Sequence, residues 1–146
     1  MAIRFYKVND KYGCFSNFSK HGFELSSKFW STSEHYFQAQ KFAGSNFEEE
    51  VRLAKTPMEA AKMGRDRSKP LRTDWEEVKD EIMMKAVLKK FETHNDIKDI
   101  LIATGDEEII EETTDDYYWG CGTNGIGKNV LGKILMEVRS ILKSDT

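Results

Sequence analysis

Apolar residues recur every three to four positions through long stretches of the chain, and this period restricts the fold more than any other feature. The pattern holds from Asp74 to Phe91 and again from Asn129 to Leu142. A period of about 3.6 residues places such side chains on one face of a helix. The sequence therefore predicts two long amphipathic helices, with apolar positions at Trp75, Val78, Ile82 and Ala86 in one and at Val130, Leu131, Ile134, Leu135, Val138 and Ile141 in the other.

Capping and turn residues divide the rest of the chain. Thr56-Pro57-Met58-Glu59 combines an N-cap, a proline at N1 and a glutamate at N3, so a helix is expected from there to about Gly64. The chain lacks the strand–helix–strand alternation of a doubly wound sheet. We expect a mostly α, helix-rich α+β fold in which residues 1–146 form a single compact domain. The other predicted elements are strands at Ile3–Val8, Phe23–Trp30 and Ile109–Thr113, helices from Ser31 or Thr32 to about Phe42, at Asn46–Ala54 and at Asn95–Ala103, and a Gly-rich loop over 117–128.

Composition excludes several classes of function. The chain has 146 residues, a net charge of −3 and a mean hydropathy of −0.61, unlike a basic nucleic-acid-binding module. Its apolar runs are too short to cross a bilayer, and no signal peptide opens it. Cys14 and Cys121 make neither a Cys-x-x-Cys pair nor a disulfide framework. The three histidines lie far apart, so we expect no metal site, and we also expect no cofactor. The cysteine usage and the short apolar runs predict a cytoplasmic protein that does not associate with a membrane.

The first candidate motif is the segment from Trp30 to Phe42. On a helix, Glu34, Gln38 and Lys41 stand at i, i+4 and i+7 and share one face. Two interpretations are open. Ser31-x-x-Glu34 matches a capping box, in which Glu34 would only tie down the helix start. Alternatively, a first-turn carboxylate flanked by aromatic residues is a common arrangement for acid–base chemistry. We interpret His35 as structural.

The second motif is the basic segment from Met63 to Arg72, which leads into Trp75. It is either a solvated basic loop or a phosphate grip in which Arg65 or Arg72 binds in bidentate fashion. Trp75 is either a core residue or a platform on which a base stacks.

The third motif is the Gly-rich loop from Thr114 to Asn129. Its glycines match two nucleotide-binding fingerprints by spacing, but both require a βαβ context that the chain lacks. A Gly-rich loop before a helix nevertheless offers backbone N–H groups to an anion. The loop also opens with two carboxylates and three aromatic residues, which is unusual for a linker.

Together these blocks resemble one family, the NADAR (YbiA-like) superfamily, from about Ile3 to Leu142. The most specific block is Ser33-Glu34-His35-Tyr36-Phe37-Gln38-Ala39-Gln40-Lys41-Phe42. It is flanked by four further blocks in the same order: Tyr12-Gly13-x-Phe15-Ser16-Asn17-Phe18; Gly64-Arg65-Asp66-Arg67; Leu71-Arg72-x-x-Trp75; and Asp116-x-x-Trp119-Gly120-x-Gly122 with Asn129-x-Leu131-Gly132.

The resemblance implies a compact, mostly helical N-glycosidase that breaks the bond between ribose C1′ and an exocyclic amino nitrogen. Two substrates are implied: ADP-ribose attached to guanine in DNA or RNA, and phosphoribosylamino-pyrimidine intermediates of riboflavin synthesis. The resemblance places the family's acidic residues at Glu34 and Asp116 and its tryptophan at Trp75. We expect Glu34 to act as acid–base with Asp116 in support, and Lys41, two turns after Glu34, to capture ring-opened ribose as an amine or to pair with phosphate. The substrate-binding candidates are Asn17, Trp30, Gln38, Arg65, Arg72, Trp75, Tyr118, Trp119, Gly120, Gly122 and Asn129.

Two points stay open at this stage. Cys121 stands where many members of the family carry Asp, and it is either a determinant of substrate choice or a small, partly buried thiol. The rival to an enzyme is a module that binds ADP-ribose or NAD without turnover.

Overall fold

A computed structural model describes residues 1–145 of the chain, which divide into two compact units. The first unit combines Met1–Ser19 with the chain from Phe91 onward, and the second is the continuous stretch Lys20–Lys90. The helix-rich α+β fold is confirmed, whereas a single domain over residues 1–146 stays a prediction. The elements in chain order are β1 (Ile3–Phe5), a 3₁₀ turn (Gly13–Phe15), β2 (Phe23–Leu25), β3 (Lys28–Trp30), α1 (Ser33–Gln40), α2 (Asn46–Arg52), α3 (Pro57–Arg65), α4 (Trp75–Thr93), α5 (Asn95–Ala103), β4 (Ile109–Glu111) and α6 (Val130–Ser144).

The first unit is built on a parallel pairing of the short strands β1 and β4. Ile3 lies opposite Ile109, and α6 packs against β4 with its apolar face. The amphipathic pattern of α6 predicted this face, since Leu131, Leu135 and Val138 are buried. Phe15 meets Phe5 and Phe91 edge-on, with ring centroids 5.9 and 6.0 Å apart.

The second unit consists of a hairpin and three mutually packed helices, α1, α2 and α3, followed by most of α4. The single strand predicted over Phe23–Trp30 is wrong: β2 and β3 pair antiparallel through a turn at Ser26 and Ser27. Both serines have positive φ, 57° and 65°, as the favoured two-residue hairpin turn requires. The turn could not be predicted from the sequence, because serine rarely adopts the left-handed backbone conformation.

Helix α1 is buried on almost every side, from Ser33 through Ala39. Its N-cap is Thr32, whose Oγ1 accepts from the His35 backbone N–H at 3.1 Å. The His35 ring also lies 2.8 Å from Thr32 Oγ1 through Nδ1 and 3.0 Å from the Ala54 carbonyl through Nε2. Burial lowers the pKa of His35, so the ring is a neutral structural element, as the sequence indicated.

Helix α3 begins as its capping residues predicted. Thr56 Oγ1 accepts from the Glu59 N–H at 3.1 Å, and Pro57 occupies the first turn. The Glu59 carboxylate accepts in turn from the Lys55 N–H at 3.1 Å. The helix carries Gly64 in its last turn and ends at Arg65, which fixes where the following basic segment leaves the helix.

Candidate active site

Helix α1 brings a carboxylate, an amide and an amine together on the face that the spacing predicted. Glu34 and Gln38 are almost fully buried, at 9% and 6% exposure. Gln38 Nε2 donates to Glu34 Oε2 at 2.8 Å. The carboxylate is therefore held by a fixed donor one helical turn away, rather than left to rotate in solvent.

Lys41 ends α1 and carries an unusually placed amine. The residue is 7% exposed, and Nζ donates to the Gly64 carbonyl at 3.3 Å. The amine also lies 5.8 and 5.7 Å from the ring centroids of Phe37 and Trp75. A lysine so enclosed is rare, because burying an ammonium is costly unless the group loses its proton or finds a partner.

The surroundings lower the pKa of Lys41 to about 8, well below the ordinary lysine value of 10.5. Burial is the main cause, and the positive charges of Arg67, Arg65 and Lys79 add to it, while Glu34 acts in the opposite direction. A substantial fraction of this amine is therefore neutral near neutral pH. A neutral amine is a nucleophile, and an ammonium is not.

The basic segment after α3 lies partly in solvent. Arg65 and Arg67 are exposed. Arg72 instead forms a two-pronged ion pair with Asp74, with Nε–Oδ1 and Nη2–Oδ2 distances of 2.6 and 3.1 Å. Its backbone N–H donates to the Lys41 carbonyl at 2.9 Å, so Arg72 anchors the end of α1. A phosphate bound by Arg72 would have to compete with Asp74, and that role stays a prediction.

The two tryptophans of this unit are buried. Trp75 is 6% exposed, and its ring packs at 5.1 Å against Phe37. Trp30 is 1% exposed, donates to the Leu25 carbonyl at 2.9 Å and meets Tyr36 edge-on. These contacts favour the core interpretation of Trp75, and binding of a base by either residue stays a prediction.

The capping interpretation of Glu34 is disfavoured by the same structure. Thr32, not Ser31, is the N-cap of α1, and His35 occupies the third helical position, whose backbone N–H donates to the Thr32 hydroxyl. The Glu34 carboxylate is bonded to Gln38 in the first turn instead. This geometry leaves the acid–base interpretation as the stronger of the two.

In the first unit, Asp116 organises the start of the Gly-rich loop. Its Oδ1 accepts from the Tyr118 and Trp119 N–H groups at 3.0 and 2.8 Å. The Tyr118 and Trp119 rings meet edge-on at 4.9 Å, and Lys128 Nζ lies 5.5 Å from the Tyr118 ring centroid. Asp116 therefore has a clear structural task as a turn residue, and its supporting role in catalysis stays a prediction.

The Gly-rich loop uses its own backbone amides. The N–H groups of 121–123 and 125–131 donate to protein oxygens within this unit. The expectation that free amides here would receive an anion is not met at these positions. The loop folds back on itself, and its hydrogen bonds are satisfied internally.

Close packing explains Gly120 and Gly122 in this loop, and two side-chain hydrogen bonds explain Asn129. A Cβ on Gly120 would overlap the Thr113 side chain, and one on Gly122, at φ +70°, would overlap the Tyr117 ring. Asn129 Oδ1 accepts from the Glu111 N–H at 3.0 Å, and Nδ2 donates to the Ile109 carbonyl at 2.8 Å. Substrate binding by these residues stays a prediction.

Two further residues of the first unit bear on the candidate set. Asn17 is 8% exposed and follows the 3₁₀ turn, and its binding role stays a prediction. Cys121 is 8% exposed, and its Sγ lies 3.3 Å from the Gly122 carbonyl oxygen, which fits the interpretation of a small buried thiol.

Sequence reasoning missed the neighbours that define the Lys41 environment. The amine donates to the Gly64 carbonyl and lies 5.8 Å from the Phe37 ring centroid, and the charge of Arg67 lowers its pKa. Phe37 lies four positions before Lys41 on α1, so helical spacing could have indicated it. The Gly64 contact joins two helices, and one sequence carries no local sign of it.

Residues 1–145 carry neither of two other kinds of site. In that part of the chain, no group of three or more His, Cys, Asp or Glu side chains is arranged to hold a metal ion. No helix there is both long and apolar enough to cross a membrane.

The fold and the buried carboxylate–amine pair define a small helix-rich protein with the groups for acid–base and amine chemistry. The NADAR domain model matches residues 4–143, and the chain belongs to this family. It is 52% identical to "N-glycosidase Npun_R5314" of Nostoc punctiforme over 99% of this chain and 94% of that protein. It is 51% identical to "N-glycosidase YbiA" of Escherichia coli over 96% of this chain and 88% of that protein.

Two further comparisons extend this picture. The chain is 40% identical to "Riboflavin biosynthesis protein PYRR, chloroplastic" of Zea mays, over 94% of this chain but 25% of that longer protein. The solved NMR structure of the Escherichia coli protein YbiA superposes with a TM-score of 0.92 at 50% identity. The match covers 99% of this chain and 86% of that one.

Proposed function

We propose that this protein hydrolyses the N-glycosyl bond between ribose C1′ and an exocyclic amino nitrogen. The observation that carries the proposal is the buried amine of Lys41, on the same helix as the Glu34–Gln38 pair, with its pKa lowered to about 8. Relatives that are about half identical over almost the whole chain are named N-glycosidases, which supports the same activity.

The amine suggests a covalent route. A ribosylamine can open its ring to an imine, in which C1′ is electrophilic. Lys41 Nζ adds to C1′ of this imine, and one proton passes from Nζ to the exocyclic nitrogen. Glu34 donates a second proton to that nitrogen as the bond to C1′ breaks, which frees the amine and leaves a protonated lysine Schiff base. Water then adds to C1′ and Glu34 takes one of its protons; the remaining hydroxyl proton passes to Nζ as the C1′–Nζ bond breaks, which frees the sugar as its aldehyde and the neutral amine.

A second role for Lys41 needs no covalent bond. The protonated amine would pair with a phosphate of the substrate, together with the exposed guanidinium groups of Arg65 and Arg67. The two roles differ in the protonation state they require. Covalent capture needs the neutral amine, and the lowered pKa supports that role.

The substrate classes are a ribosylamine on guanine that carries ADP-ribose and a phosphoribosylamino-pyrimidine. Both present C1′, an amino nitrogen and phosphate to the same groups. The riboflavin-synthesis name of the Zea mays relative favours the pyrimidine. The proposal further assigns Asp116 a supporting charge, Tyr118 and Trp75 a stacking role, and the reaction a cytoplasmic location, in line with cysteine usage typical of reduced proteins.

A side-by-side turnover assay tests the function. One reaction contains guanosine with ADP-ribose on its amino group, and the other contains the phosphoribosylamino-pyrimidine. Release of ADP-ribose from the first alone identifies a de-ADP-ribosylase, and release of ribose 5-phosphate from the second alone identifies a metabolite-clearing N-glycosidase. Turnover of neither, with ADP-ribose still bound, would establish the binding module instead.

A conservative variant tests the acid–base role. Glu34→Gln keeps the shape of the side chain and an oxygen that can accept from Gln38 Nε2, but it removes the acid. We expect kcat to fall by about 10²- to 10⁴-fold. The thermal unfolding midpoint should stay near that of the unmodified protein. Glu59→Gln, an exposed glutamate of α3, is the matched control. Near-normal kcat in Glu34→Gln would remove Glu34 from the mechanism.

A further inference from the structure

One glycine in the last turn of α3, Gly64, contacts both the Lys41 amine and the Gln38 amide of the candidate site. The Gly64 carbonyl accepts from Lys41 Nζ at 3.3 Å. On its other side, Gly64 faces the Gln38 amide so closely that a Cβ would overlap Oε1 and lie 2.7 Å from Cδ. Gln38 is the donor that holds Glu34.

The Gln38 amide is enclosed where it meets Gly64. Gln38 is 6% exposed, and its Oε1 is a buried oxygen without a hydrogen-bond partner among the described residues. The hydrogen that stands in place of a Cβ on Gly64 is directed at this oxygen. With Oε1 against the backbone of α3, Nε2 is turned toward the Glu34 carboxylate, 2.8 Å away.

Backbone freedom does not explain this glycine. Gly64 lies in the last turn of α3, one residue before the helix ends at Arg65, and its φ is not positive. Glycine has a lower helix propensity than alanine, so the helix geometry alone does not favour it. Packing against Gln38 explains why this position is glycine, because a Cβ would overlap the Gln38 side chain.

We propose that Gly64 is a positioning residue for the reaction: its missing side chain sets the Gln38 amide on Glu34, and its carbonyl oxygen sets the Lys41 amine. The inference rests on the proposed function, because Glu34 and Lys41 are its candidate catalytic groups. Gly64 would thereby fix the position of the Glu34 carboxyl group, through Gln38, relative to the Lys41 amine. A displacement of about 1 Å in such a pair can cost about 10²-fold in rate.

Gly64→Ala is the direct test. The added methyl displaces the Gln38 amide, and we expect kcat to fall by about 10²-fold with KM changed by less than about threefold. Met58→Ala, at an exposed position of the same helix, is the control and should keep normal kinetics. Normal kcat in a folded Gly64→Ala protein overturns the proposal.

A double variant separates positioning from packing. In Gly64→Ala with Gln38→Ala, the overlap with Oε1 and Cδ is gone and only the Cβ of residue 38, 3.0 Å away, stays close, so the thermal unfolding midpoint should rise relative to Gly64→Ala alone. The rate should stay low, because Glu34 still lacks its donor. Recovery of both stability and kcat would mean that Gly64 acts only through packing, and the proposal would be wrong.

A third measurement does not depend on turnover. The Lys41 amine is titrated by NMR of a ¹³C-labelled lysine side chain, in the unmodified protein and in Gly64→Ala. We expect the Lys41 titration to move in Gly64→Ala and to stay unchanged in Met58→Ala. If neither ribosylamine is cleaved but the titration moves, the proposed function fails while the positioning survives. An unmoved titration overturns the positioning whether or not substrate is cleaved.

Discussion

The rate of C1′–N cleavage should follow the deprotonation of Lys41. With a pKa of about 8, about one tenth of the amine is neutral at about pH 7, against about 0.03% for an ordinary lysine. The enclosure by Phe37, Trp75 and the neighbouring cations therefore raises the reactive fraction about 300-fold. If the neutral amine attacks C1′, kcat/KM should fall about tenfold per pH unit below about pH 8 and level off above it.

One surface charge offers a way to move this profile without touching the amine. Arg67 is exposed and, after burial, is the largest of the influences that lower the pKa of Lys41. Arg67→Ala should raise that pKa and shift the rise of kcat/KM to higher pH. Lys62→Ala, which removes an exposed cation of α3 just before the segment that carries Arg67, is the matched control.

The assay is product release measured from about pH 6 to pH 10, together with borohydride reduction of the reaction mixture. Reduction converts a Schiff base on Lys41 into a stable secondary amine that a peptide mass would locate. A flat kcat/KM between about pH 6 and pH 9 would refute the neutral-amine mechanism. A profile in Arg67→Ala identical to that of the unmodified protein would refute the electrostatic part of the reasoning.

Three further predictions concern stability. The pKa of His35 is lowered in the folded state, so the stability that its neutral ring contributes is present above about pH 6.5 and is lost as the pH falls below that value. In His35→Gln, the thermal unfolding midpoint should depend less on pH in this range. Lys41 also has a folded-state pKa below its unfolded value, so stability should rise as the pH increases from about 8 to about 10.5, and Lys41→Met should remove that rise. Asn129→Ala loses two hydrogen bonds to the backbone of β4 and should cost about 1–3 kcal/mol in urea unfolding.

Helical spacing and capping chemistry predicted the parts of the fold that depend on local sequence. The bounds of α5, the Thr56 cap of α3 and the shared face of Glu34, Gln38 and Lys41 all follow from residues within one or two turns. Local rules suffice there because helix hydrogen bonds join residues four apart.

Other features could not be predicted because they depend on distant partners or on unusual turn residues. The hairpin turn at Ser26 and Ser27 uses serine where glycine or asparagine is usual. The contact of Gly64 with Gln38 joins separate helices. The amides of the Gly-rich loop donate to oxygens of the same unit, inside and just before the loop, and composition does not indicate these hydrogen bonds.

The pairing of β1 with β4 carries a consequence for synthesis. Ile3 finds its partner only at Ile109, and the whole of Lys20–Lys90 is made in between. Bringing Ile3 to Ile109 closes a long stretch of chain and has an entropic cost, and contacts between residues so far apart in sequence form late. On the ribosome, the hairpin and the three packed helices have all their residues before the first strand has a partner. We therefore expect α1, which carries Glu34, to be assembled while β1 is still unpaired, so β1 presents an open strand edge that needs protection from aggregation during synthesis.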